Sequence, residues 1–83
     1  MDGPTEIYFD DVLEASAYTV LVIQMAGEKF APSIATGPEG FVVNLLLPLS
    51  LDLHHVILSA IAHDKRANPA KWEKTRQDIQ QKN

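Results

Sequence analysis

The sequence predicts a small α+β domain: an antiparallel sheet of three or four strands covered by one main helix over residues 51–66, with a further helix over about 69–80. Three observations predict it. Residues 50–66 carry a 3.6-residue apolar period with fitting residues at both ends, apolar and β-branched runs separated by glycine and proline precede them, and positive charge is gathered behind them. At 83 residues the chain has the size of one domain, read as a compact unit over 1–66 followed by a basic helix and tail over 67–83. Folding at this size buries only about 60–65% of the surface of the unfolded chain. With no cysteine there is no disulfide to add stability, so support from a larger partner or a second copy of the chain is expected.

In chain order, residues 1–4 predict frayed chain and residues 5–9, TEIYF, a strand at a sheet edge. Asp10 and Asp11 end it. Asp11 with Glu14 three residues on resembles a capping box with aspartate in the Ser/Thr position, which predicts a short helix over 12–17. Residues 19–23, TVLVI, are mostly β-branched and lack a 3.6 period, and they predict a strand buried on both faces. The alternative is one longer helix, from Pro4 or over 10–26, of which the second would reduce the sheet to a hairpin at most and make the chain mainly α. Residues 26–29 predict a hairpin connection around Gly27. Residues 30–36, FAPSIAT, predict a poor strand at an edge or bulge, because Pro32 has no N–H to donate. Gly37, Pro38, Glu39 and Gly40 make a turn, and residues 41–47, FVVNLLL, a second apolar strand ended by Pro48.

The main helix follows. Ser50 offers an N-cap oxygen, Asp52 stands in the first turn, and His63, Lys65 and Arg66 stand in the last, as the helix dipole favours. Leu53, Ile57, Leu58, Ala60 and Ile61 fall on one face, while Asp52, His55, Ser59 and His63 fall on the opposite one. Asn68 as N-cap and Pro69 at the first helical position start the last helix, whose large apolar residues are Trp72 and Ile79.

The net charge of −4 divides unevenly: residues 1–64 hold nine acids and one base, and residues 65–83 hold six bases and two acids. A basic tail opposite an acidic body either lies against that body or serves as a binding arm. The start of the chain is acidic without an apolar run behind a basic segment, which predicts no secretory signal. The apolar stretches fall short of the roughly 20 residues a membrane span needs. A soluble, cytoplasmic protein is the expectation.

Chemistry finds little support in the motifs. His55 and His63 share a face but stand two turns apart, about 12 Å at 1.5 Å per residue, too far for one zinc ion with ligands about 2 Å away. His54 points toward the apolar side and reads as a core or interface histidine bonded to backbone. Asp52, His55 and Ser59 align on one stripe, yet a regular helix face has no free N–H groups for an oxyanion hole. The four glycines form neither a dinucleotide nor a phosphate loop. No cofactor, no metal and no catalytic residue are therefore expected, and the chain is read as a non-enzyme.

Two surfaces remain. Trp72 and Arg76 are one helical turn apart, so a guanidinium can lie on an indole, and with Ile79 they would make an interface anchor. Asp10 and Asp11, beside Tyr8 and Phe9, give an acidic, aromatic-bearing edge that would oppose a basic surface. The expected function is a small, non-catalytic, regulatory or inhibitor-like protein that occupies a surface of a larger protein through Asp10, Asp11, Trp72, Arg76 and Ile79, with a homodimer as a further association. The alternative is a nucleic-acid-associated protein using Lys71, Lys74 and Arg76.

Overall fold

The structure, a computed structural model, describes residues 3–81, with side chains described through Asp78. Strand β1 (Glu6–Phe9) leads into helix α1 (Val12–Ala26), a single 3-10 turn (Glu28–Phe30) leads to strand β2 (Ser33–Gly37), and a tight turn returns the chain as β3 (Gly40–Asn44). Helices α2 (Leu51–Ala67) and α3 (Pro69–Gln81) complete it. The three strands form an antiparallel sheet in the order β1-β3-β2, so the α+β prediction holds with both outer strands at the expected edges.

Helix α1 corrects the sequence reading. Residues 19–23 are not a strand but the middle of a 15-residue helix, and residues 26–29 are its end and a 3-10 turn instead of a hairpin. Asp11 caps it as expected, its carboxylate accepting from the Leu13 N–H at 2.9 Å. Gly27 ends it at φ +111°, its own N–H donating back to Val22 and Ile23. The missing period has a physical cause. Helix α1 lies against all three strands on one side and against α2 and α3 on others, burying Leu13, Ala15, Tyr18 and Val22. Its solvent side carries Val20, Ile23 and Met25, so apolar residues fall on buried and exposed sides alike and no period results. Packing of the buried face then outweighs the modest helix cost of the β-branched residues, of which Val22 alone is buried.

The layer order is corrected with it. The helix that covers the sheet is α1; α2 packs on α1 and α3 and does not approach the strands. The predicted faces of α2 nevertheless hold: Ile57 and Ile61 are buried, Leu53 and Leu58 pack against the same core, and Asp52, His55, Ser59 and His63 are exposed. Ser50 caps α2, its hydroxyl oxygen accepting from the Leu53 N–H at 3.2 Å.

The sheet keeps three strands although residues 12–26 are helical, because β1 pairs with β3 at Ile7–Val43 and Phe9–Phe41. Those four residues face α1 and join its core. The next row, Tyr8–Val42–Ala35, faces away from it. Strand β3 also ends earlier than expected, at Asn44 instead of residue 47. Beyond it the Leu45 N–H donates to the Thr5 carbonyl and the Leu46 N–H to the Phe30 carbonyl, both outside any strand.

Tyr18, Val22, Val43, Leu49 and Ile57 are the largest wholly buried side chains, one core shared by sheet, α1 and α2. Among the described residues no helix is long and apolar enough to cross a membrane.

Candidate protein-binding surface

Part of the positive charge of residues 65–78 is paired with acids of residues 1–64. Asp64, near the end of α2, gathers three donors: Trp72 Nε1 at 2.8 Å, Lys71 Nζ at 3.0 Å and Asn68 Nδ2 at 2.8 Å. Those hydrogen bonds, that from Lys71 first, hold its carboxyl below the usual carboxylate value. Arg76 reaches across to α1, where its Nη2 pairs with Asp11, and its Nη1 pairs with Glu73 at 3.2 Å. Lys65 Nζ pairs with Glu14 at 3.2 Å and stands 5.9 Å from the centre of the Trp72 ring. The cation over the indole is therefore Lys65, where the spacing had pointed to Arg76. Three bases of the basic segment thus meet acids of the body.

Of the five expected partner-binding residues, the structure joins Asp11 and Arg76 to each other and half-buries Trp72 against the core. Among the described residues Asp10 has no cation partner, and it is exposed. The side chain of Ile79 lies outside the described residues. Of the residues named for nucleic acid, Lys71 and Arg76 are paired internally and Lys74 is exposed.

Asp10 belongs to a different constellation. Where the end of β1 meets the turn between β2 and β3, a recess of about 410 Å³ opens, lined by Tyr8, Phe9 and Asp10, by turn residues 37–40 with Glu39 among them, and by Phe41 and Val42. Tyr8 is 74% exposed, an unusual place for a large aromatic side chain. Its hydroxyl donates to Glu6 Oε1 at 3.3 Å. The negative charge of Glu6, together with that hydrogen bond, raises the Tyr8 pKa above its ordinary 10.0. Glu6, Asp10 and Glu39 have no cation partner among the described residues, in contrast to Asp11, Glu14, Asp64 and Glu73. Glu39 escaped the sequence reading because it sits inside a turn motif. The available signal was its charge, since residues 30–38 before it carry none.

The histidines are distributed as their helical positions dictate. His55 and His63 are exposed, whereas His54 is half-buried between α1 and α2. Its Nδ1 is 2.8 Å from the hydroxyl of the wholly buried Tyr18, so the expected backbone partner is replaced by a phenol. Burial pushes the Tyr18 hydroxyl up to about 12. Burial first, and then His55, hold His54 below its ordinary 6.5.

The neutral imidazole can accept the tyrosine O–H at Nδ1, and protonation removes that acceptor. Because the folded state favours the neutral form, stability is full above the unfolded value of 6.5 and declines as pH falls from there toward the folded pKa. The melting temperature, followed by circular dichroism, is expected to drop as pH falls below 6.5, and His54→Asn is expected to flatten that step. An equal slope in both proteins would contradict the assignment. The Asp64 contribution has the same sign but lies lower, present above 3.8 and lost only as pH falls below it, so the two windows separate.

Among the described residues no three His, Asp or Glu side chains gather as a set that could hold a metal ion. Comparison with known protein families, characterised proteins and solved structures finds no match to this chain.

Proposed function

We propose that this chain is a small, non-catalytic binding protein that acts by occupying a surface of a larger protein, in the manner of an inhibitor or regulatory subunit. The observation that carries this reading is the end of the sheet where exposed Tyr8 stands among Glu6, Asp10 and Glu39, acids without a cation of their own among the described residues. Exposed aromatic side chains beside complementary charge are typical anchors of protein interfaces. The internal pairing of Lys71 and Arg76 weighs against nucleic acid as the main partner. A cytoplasmic location belongs to the same proposal. So does self-association, for which the uncharged, fully exposed edge strand β2 is the natural seam.

The test is retention of partners by the tagged protein from its own cell lysate after nuclease treatment, comparing the parent with Asp10→Lys and Lys74→Glu. Both positions are exposed, so neither change should disturb the fold. A defined protein kept by the parent and Lys74→Glu but lost by Asp10→Lys is the expected result. Retention that vanishes with nuclease, or that is lost only in Lys74→Glu, would overturn the proposal in favour of nucleic acid.

A further inference from the structure

The recess at the end of the sheet has a chemistry of its own. Its surface is mostly aromatic and aliphatic, and the charged groups around it are all carboxylates: Asp10 and Glu39 in the lining, Glu6 beside Tyr8. The guanidinium of Arg76 is held by Asp11, next in sequence to Asp10, and by Glu73. A volume of about 410 Å³ is at the small end of ligand sites and suits one large side chain better than a cofactor.

Three features together select the occupant. Unpaired carboxylates favour a cation. An exposed phenol ring offers a negative face on which a planar cation stacks. Aliphatic surface at Val42, which pairs with Tyr8 in the sheet, suits a hydrocarbon stem. A phosphate or an acidic peptide would be repelled, and a purely apolar side chain would leave the carboxylates without a counter-ion.

We infer that the recess bounded by Tyr8, Asp10, Glu39 and Phe41 receives an arginine side chain from a basic segment of the partner protein, its guanidinium against the Tyr8 ring and the two carboxylates. This rests on the protein-binding reading above and adds the partner's chemistry to it. The register of the sheet makes the site. Pairing of Tyr8 with Val42 and of Phe9 with Phe41 brings the end of β1 beside a turn about thirty positions away in sequence.

The experiment is an NMR titration of the full chain with a short peptide carrying two arginines, beside the same peptide with citrulline, which keeps the shape and removes the charge. Saturable shifts at the amides of Tyr8, Asp10, Gly40 and Phe41 are expected with the arginine peptide, with a dissociation constant on the order of 1 mM for an isolated exposed site. Tyr8→Ala and the double change Asp10→Asn with Glu39→Gln should each weaken binding by roughly tenfold, and added salt should weaken it further.

Equal binding of the citrulline peptide, or arginine shifts centred on another surface, would overturn the inference. Loss of the lysate partner in Asp10→Lys without any peptide effect at the recess would overturn the arginine chemistry and leave the protein-binding proposal standing. Peptide binding at the recess without any nuclease-resistant partner would support the arginine site and count against the wider function.

Discussion

Tyr18→Ala is expected to lower unfolding stability by about 3–5 kcal/mol, the range for removing a large buried ring, out of a total of about 4–12 kcal/mol for a chain of this length. Its ring lies 5.5 Å from Phe9, on the sheet, and 5.7 Å from His54, on α2, and it is wholly buried. One side chain of α1 thereby touches both other layers. Tyr18→Phe keeps the ring and removes only the hydroxyl that meets His54, so it should cost about 1 kcal/mol. Urea denaturation gives both numbers from the midpoint at an unchanged slope. A cost for Tyr18→Ala no larger than that for Tyr18→Phe would mean that the three layers do not meet at this ring. The phenylalanine variant should also lose part of the acid sensitivity assigned to His54, because the acceptor role of Nδ1 goes with its donor.

The contrast between α2 and α1 explains what was legible in the sequence. Helix α2 has solvent on one side only of its apolar stripe, so Leu53, Ile57 and Ile61 alternate with Asp52, His55 and Ser59 and announce both helix and face. Helix α1 carries apolar side chains on its solvent side too, at Val20, Ile23 and Met25, and so its sequence lost the period that would have announced it. A signal was still present. No glycine, proline or asparagine interrupts residues 12–26, and fifteen residues between an aspartate cap and a glycine stop suit a helix far better than a strand.

The candidate site was half legible for a similar reason. Asp10 and Asp11 are neighbours with opposite fates: Asp11 caps α1 and holds Arg76, and Asp10 is left with the recess. Which of the two keeps a free carboxylate depends on where α3 lies, a long-range fact that local pattern does not contain. Glu39 enters the site only through the β1–β3 register, which is equally non-local.

That register rests on one glycine, and two glycines of the same turn offer the sharpest check on it. At Gly40 the backbone has φ +143°, and an added Cβ would stand 2.5 Å from the carbonyl oxygen of Phe9 on the neighbouring strand. Neither atom can swing aside, because the Cβ is fixed by the backbone that bears it and its partner is a main-chain carbonyl oxygen. Gly40→Ala must therefore adopt a strained φ and also push β1 away from β3, together roughly 2–4 kcal/mol. Gly37, paired with Gly40 across the turn, differs: the nearest atom to its Cβ is 3.9 Å away, an ordinary contact. Gly37→Ala is expected to change stability by less than about 0.5 kcal/mol. Thermal or urea unfolding of the two variants should thus diverge widely although they differ by three positions and one methyl group each. Because the Gly40 contact is with Phe9, the same variant should shift the amides around Tyr8 and Asp10, and equal behaviour of the two alanines would place the β1–β3 register, and the recess built on it, in error.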